Sequence, residues 1–248
     1  MDIKNRVALV TGAASGIGRA TAIMLADKGA RAVVIADLDE TGLADTAEKI
    51  KSRSSEVLSL TLNVTSQPDL EAAYREIDET FGQLDIVFNN AGIVSGPPPY
   101  PDTDLDRITR VVEIDLLSVI VSSTLAIRYM RERGGGVIIN TASTGGLNPY
   151  LADAPYAAAK AGVIMFSRSC GDLAQQCGIR VNAVCPAVTE TPILEKTGGG
   201  QRPDWLGPIL ENIQLLKPED IGQRVIELIE DDTMAGEYSV VANPPAGS

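Results

Sequence analysis

Seven short runs of apolar, often β-branched residues are separated by longer stretches of helical period: Val7–Val10, Ala32–Ala36, Val57–Leu62, Ile86–Phe88, Val137–Asn140, Arg180–Val184 and Tyr238–Val241. Such alternation is the pattern of parallel strands buried between two layers of helices. It predicts an α/β protein with one doubly wound, seven-stranded parallel sheet. Element ends are marked too: Gly29 and Gly178 stand where helices stop, Pro68 falls in a first turn behind Thr65 and Ser66, and Gly134–Gly136 part a helix from a buried strand. With no repeat, linker or shift in composition, residues 1–248 read as a single domain. Two segments fit neither element. Ser95–Asp104 is rich in proline, and Ala187–Leu216 is long with an apolar pattern of its own. Both follow strand carboxyl ends, the edge at which open α/β sheets bind ligands, so both are expected to wall a pocket.

A chain of 248 residues that is 44% hydrophobic can bury a full core. A formal charge of −12 without any run of basic residues argues against a nucleic-acid partner. No stretch approaches the roughly 20 apolar residues of a membrane span, and the start MDIKNRVALVTG lacks the features of a signal peptide. The expectation is a soluble, cytoplasmic protein. Cys170, Cys177 and Cys185 are odd in number, which argues against a disulfide framework; the first two are spaced for one helix face, and no metal site is expected. The chain has no histidine, which removes Ser-His-Asp hydrolysis and histidine-ligated zinc. Acid–base chemistry near neutral pH must therefore use another side chain.

The first strand runs into TGAASGIGRA, which places Gly12, Ser15, Gly16, Ile17 and Gly18 between a strand and a helix. Glycines there let the chain turn sharply and bring its amides close to a pyrophosphate, whose charge the helix end stabilises. The alternative is ordinary turn-making. Asp37 ends the second strand at about the distance where an acidic side chain meets the adenosine ribose hydroxyls. A carboxylate there repels the extra phosphate of NADP, and Ala36 and Leu38 offer no cation to offset this, so NAD is expected. The alternative for Asp37 is a cap on the next helix.

Further along stand NNAG at Asn89–Gly92, Ser143 after a strand, and Tyr156 with Lys160 in APYAAAKAG. Together with Thr11-Gly12-x-x-x-Gly16-x-Gly18 they resemble the short-chain dehydrogenase/reductase family along essentially the whole chain. The stretches VCPAVTETPILE and ELIEDDTMAGEYSVV look closest to its hydroxyprostaglandin dehydrogenase branch. The resemblance implies a Rossmann fold and an oxidoreductase acting on a secondary alcohol or ketone. It makes Tyr156 the acid/base, with Ser143 on the substrate oxygen and Lys160 beside both Tyr156 and the nicotinamide ribose. It sets Asn63 and Val64 at the adenine, Asn89, Ala91 and Gly92 along the adenine and ribose side, and Pro186, Val188 and Thr191 near the carboxamide. It also implies a homo-oligomer, dimer or tetramer, built on the fourth and fifth helices. Elementary chemistry agrees on the pair: a free tyrosine titrates near 10, and a lysine one helical turn away on the same face is expected to lower that value.

Two positions depart from the family pattern. Asp115, in VVEIDLLSV, replaces an Asn of a proton relay; it is expected either to pair with Lys160 or to bind the relay water, and pairing weakens the pull of Lys160 on Tyr156. Pro186-Ala187 replaces Pro-Gly, which is tolerable where the backbone avoids positive φ. Trp205, Leu206, Ile209, Leu210 and Ile213 recur at helical spacing, and with Gly198–Gly200 before them residues 189–216 are expected to form a lid. This apolar character, with Leu147, Tyr150 and Leu151 after Ser143, points to a small hydrophobic alcohol or ketone as substrate. An NADPH-dependent carbonyl reductase and a non-catalytic NAD-binding protein are the competing readings.

Overall fold

Each of the seven runs becomes a strand in the structure, a computed structural model that describes residues 1–53, 55–197, 199–201 and 206–247. These are β1 (Val7–Thr11), β2 (Ala32–Asp37), β3 (Glu56–Thr61), β4 (Ile86–Asn89), β5 (Gly136–Thr141), β6 (Ile179–Pro186) and β7 (Tyr238–Val241), in the order β3-β2-β1-β4-β5-β6-β7. All neighbouring pairs are parallel. Successive residues alternate between two buried faces. Ala8, Val10, Val33 and Ile35 pack under α1 (Gly16–Asp27), α2 (Glu40–Lys51) and α10 (Pro218–Glu230). Val7, Leu9, Ala32 and Val34 pack under α3 (Gln67–Phe81) and α5 (Ser118–Met130). This two-sided burial explains why central runs such as Val7–Val10, Ala32–Ala36 and Ile86–Phe88 are apolar throughout, and each fully buried large aliphatic side chain contributes about 1.5–3 kcal/mol. The chain winds one way from β1 to β3 and the other way from β4 to β7, which opens a crevice at the carboxyl ends of β1 and β4.

Local signals hold at the helix ends. Ser66 caps α3 by accepting from the Asp69 amide at 3.3 Å, with Pro68 in the first turn. Helix α6 (Ala154–Ser169) begins with Pro155, and Gly178, at φ 71°, stops α7 (Leu173–Cys177). The cysteine spacing misleads: Cys170 follows the last turn of α6 while Cys177 ends α7, so they do not share one helix face, and both are half-buried against the core. Helix α4 (Leu105–Val112) runs into α5 through a π-helical turn, Glu113–Leu117, that carries Asp115. Such turns widen a helix by one residue and turn a side chain inward.

After β6 the chain leaves the sheet and returns. It forms α8 (Pro192–Thr197) and α9 (Leu206–Leu210), and the two feet of the excursion meet in a parallel bridge between Thr189 and Leu216. Asn243 fastens them from the side, bonding Val188 at 3.0 and 2.7 Å and the Gln214 carbonyl at 3.0 Å. The expected helix ends at Leu210, short of Ile213, because Ile213 is drawn into an antiparallel bridge with Pro245, a tertiary pairing that overrides the helical period. Trp205 lies outside the described residues.

Candidate active site

A cavity of about 970 Å³ crosses the carboxyl edge of the sheet, from Asp37, Leu38 and Asn63 past the glycine turn to Ser143, Tyr156 and Lys160. Of the sequence-predicted site residues, Gly12, Ser15, Gly16, Ile17, Asp37, Asn63, Val64, Ala91, Gly92, Asp115, Ser143, Tyr156, Lys160, Pro186, Val188 and Thr191 all line it. Gly18 and Asn89 do not.

At the Asp37 end the wall is largely backbone. Gly12 adopts φ 65°, and a Cβ on Gly18 would lie 2.1 Å from the Gly12 carbonyl oxygen, so Gly18 is required for packing the turn against α1 rather than for touching a ligand. Whereas α2, α3 and α6 are capped by Asp39, Ser66 and Asp153, the Ser15 side chain makes no capping bond at the start of α1. First-turn amides without a side-chain acceptor, opening on the cavity with no acidic residue among them, fit a pyrophosphate. The Asp37 carboxylate accepts from the amides of Ala14 (3.0 Å), Leu38 (2.7 Å) and Asp39 (3.2 Å). It therefore holds the turn and does not cap α2, a task that falls to Asp39 through the Gly42 amide. The nearby Arg19 guanidinium is engaged by Thr46 Oγ1 at 3.0 Å and by the Ala14 and Gly42 carbonyls. Asn63 Oδ1 accepts from the Thr65 amide and hydroxyl, so it also shapes a turn while lining the cavity.

Asn89 needs a correction. Its amide donates to Ser123 Oγ (3.0 Å) and Asn140 Oδ1 (2.9 Å), and its oxygen accepts from Ser122 Oγ (2.7 Å), all within the buried layer between the sheet and α5. The cavity contact passes to Asn90, which also donates to the Thr11 and Gly12 carbonyls and so ties the NNAG segment to the glycine turn.

At the other end the wall is built from buried charge. Lys160 Nζ lies 3.1 Å from Asp115 Oδ2, donates to the Thr141 carbonyl at 2.9 Å, and stands 5.6 Å from the centre of the Tyr156 ring. The second oxygen of Asp115 accepts from the Ile93 amide at 2.9 Å. The ion pair of Asp115 with Lys160 expected from the sequence is formed. Gly92 makes room for it, since a Cβ there would lie 3.0 Å from Asp115 Oδ2 and 3.4 Å from Lys160 Nζ. Ser143 is brought to Tyr156 by a short turn whose Gly146 meets the α6 backbone; a Cβ there would lie 2.7 Å from the Ala161 nitrogen.

These contacts reverse the expected lowering of the Tyr156 pKa. Burial pushes the phenol above its ordinary value; Lys160 and the Ser143 hydroxyl pull it down, but the charges of Asp115 and Asp153 act with burial. Burial likewise raises the Asp115 carboxyl against the pull of Lys160. For Lys160 burial disfavours the charged form, yet Asp115 and Tyr156 hold the ammonium above its usual range. Ala187 stays out of the positive-φ region, as the change from glycine requires. Leu147 and Leu151 point to solvent and do not line the cavity, whereas Tyr150 does, beside Ile93, Val94 and Asn148. Asp153, which the sequence did not single out, is almost fully buried at the head of α6.

A sequence profile described as short chain dehydrogenase matches residues 6–201. The chain belongs to that family. As a short-chain dehydrogenase it is an oxidoreductase of a family that binds a nicotinamide cofactor. It is 37% identical over 228 residues to a cis-4-hydroxycyclohexanecarboxylate dehydrogenase of Sinomonas cyclohexanicum, covering 91% of this chain and 90% of the relative. It is 34% identical over 249 residues to the 15-hydroxyprostaglandin dehydrogenase [NAD(+)] of Bos taurus, covering 95% and 90%. Among solved structures, an actinorhodin polyketide ketoreductase with NADPH superimposes with a TM-score of 0.86 at 31% identity, over 96% of both chains.

Proposed function

We propose that this short-chain dehydrogenase interconverts a hydrophobic secondary alcohol and the matching ketone with NAD, Tyr156 acting as acid and base. The observation that carries this reading is one continuous cavity with Asp37 at one end and Ser143, Tyr156 and Lys160 together at the other. Gly12, Ser15, Gly16 and Ile17 would hold the pyrophosphate, Asp37 the adenosine ribose, and Lys160 the nicotinamide ribose. When bound, the oxidised nicotinamide would supply the hydride acceptor and a positive charge.

In oxidation Tyr156 takes the hydroxyl proton, and in reduction its phenol gives the proton to the carbonyl oxygen, while Ser143 donates to that same oxygen as charge develops on it. A phenol held above its ordinary pKa is protonated at neutral pH. Reduction is therefore favoured near neutrality, and oxidation gains as pH rises. Ile93, Val94, Tyr150, Ile193 and Leu194 line the substrate side and suit an aliphatic or alicyclic skeleton.

An NADPH reductase would need a cation to meet the extra phosphate; the NAD reading is supported by the Asp37 carboxylate at this end of the cavity and by the engagement of Arg19 with Thr46 and Gly42. A non-catalytic binding protein would have no use for Ser143 and Tyr156 gathered at the cavity beside the buried Lys160. The test is a panel of alicyclic, aryl and polyol substrates assayed with NAD and with NADP, run beside Tyr156→Phe. Turnover of the hydrophobic alcohols with NAD, falling about 100-fold or more in the variant, is the expected result. Equal use of NADP, or turnover of polyols alone, would refute the cofactor or the substrate assignment.

A further inference from the structure

We infer that Asp153 is a positioning residue that joins the substrate wall at Ile93–Ser95 to the first turn of α6 and thereby fixes Tyr156 against the substrate. The inference rests on the reading of Tyr156 as the acid/base.

Asp153 precedes the first residue of α6 and is 5% exposed. One carboxylate oxygen accepts from the Tyr156 amide (3.2 Å) and from Ser95 Oγ (2.8 Å), and the other accepts from the Ser95 amide (2.7 Å). An N-terminal cap needs only one such bond, and Ser or Asn supplies it as well at a solvent-exposed position. Here a carboxylate is buried, has no ion-pair partner among the described residues, and takes two bonds from a residue 58 positions away. A carboxylate so placed is retained for what it holds.

The segment it holds is gripped twice. Two residues before Ser95, the Ile93 amide donates to Asp115, the partner of Lys160. Alternate amides of one extended segment are thus bound by two buried carboxylates, one fixed to the helix start that carries Tyr156 and the other to Lys160. Ile93 and Val94, between the two grips, line the cavity. Beyond Ser95 the Tyr100 amide donates to the Ala152 carbonyl, just before the same helix start, at 3.3 Å, and Arg107 of α4 donates to the Ser95 carbonyl at 3.5 Å. A substrate pressed against Ile93 and Val94 is located relative to the Tyr156 oxygen through Asp153.

Asp153→Asn keeps an oxygen to cap α6 but turns the other acceptor into a donor, so the Ser95 amide loses its partner. It also removes a charge. Among the described residues the titratable or charged groups around Tyr156 are Lys160, Asp115, Asp153 and Tyr150, and of these Asp115 and Asp153 both disfavour the phenolate. In Asp153→Asn we expect NAD affinity unchanged, KM for the alcohol raised about tenfold, kcat lowered severalfold, and the acid limb of the oxidation profile moved to lower pH. Ser95→Ala removes only the hydroxyl bond; KM is expected to rise about threefold with the acid limb in place. A merely structural Asp153 would lower Tm and leave kcat, KM and the pH profile of both variants as in the parent, which would overturn the proposal. If Asp153→Asn does not fold, an unchanged KM in Ser95→Ala overturns it alone. Full activity in a parallel Tyr156→Phe would instead sink the acid/base reading.

Discussion

At the Asp37 end of the cavity the wall is backbone, shaped by glycines whose missing side chains let β1, α1 and the NNAG segment touch. At the Tyr156 end the wall is charge: Lys160 and Asp115 in a buried pair, Asp153 close by, and a phenol between them. The first end is defined chiefly by where atoms are absent, with the Asp37 carboxylate holding the turn, so an added atom spoils its shape. The second tolerates an isosteric exchange but answers to the loss of a single charge. Binding and proton transfer in this chain are thus open to separate attack.

Gly18→Ala tests the contrast most severely. The new methyl would sit 2.1 Å from the Gly12 carbonyl, so the turn must shift. Overpacking of this kind costs about 3 kcal/mol, which lowers Tm by about 6–12 °C in a chain of this size. Cofactor affinity should fall steeply while the pH profile of the residual activity stays in place; a displaced profile would show that the two ends are coupled. Asp37→Ser should act at an intermediate level. Loss of a charged hydrogen bond weakens NAD by roughly 10–100-fold and narrows the preference over NADP, as fluorescence titration of both would measure. Asp115→Asn should have the smallest effect on rate and the clearest effect on pH. Its amide oxygen still accepts from Ile93, but the charge that disfavours the Tyr156 phenolate is gone. A base must be deprotonated to act, so lowering its pKa carries oxidation to lower pH. Complete loss of activity would assign Asp115 a role beyond tuning that charge.

The sequence showed the backbone end more fully than the charged one. A glycine turn, the acidic residue after β2 and the strands themselves are local patterns, written within a few residues of one another. Asn89 and Asn90 are a harder case. They are neighbours at a strand end and point to opposite sides, but both sides of this sheet are buried, so spacing alone does not tell which one meets the cavity. The ion pair of Asp115 with Lys160 spans 45 positions and the bond of Asp153 with Ser95 spans 58; neither leaves a periodic trace, the first depending on how two helices meet and the second on where the loop after β4 runs past the start of α6. The direction of the Tyr156 shift was missed for the same reason. The largest cause, burial of the phenol, is set by the tertiary packing and not by spacing; the lysine one turn away is visible from sequence, while the carboxylate of Asp115 is brought in from another helix and joins Asp153 at the head of α6 in opposing it. The helix expected through Ile213 fails because a distant partner, Pro245, claims that residue.

The excursion from Val188 to Leu216 leaves and rejoins the body at one point, where a bridge and Asn243 hold its two feet together. A loop mounted in this way can be replaced or lengthened without altering the distances among Ser143, Tyr156 and Lys160, and doubling its length costs only about 0.6 kcal/mol of closure entropy. Mutation beyond Thr191, which itself packs beside Gly16, is therefore free to reshape the cavity wall while the chemistry beneath is unchanged, and that part of the stretch, taken from a relative of different specificity, should transplant with its selectivity.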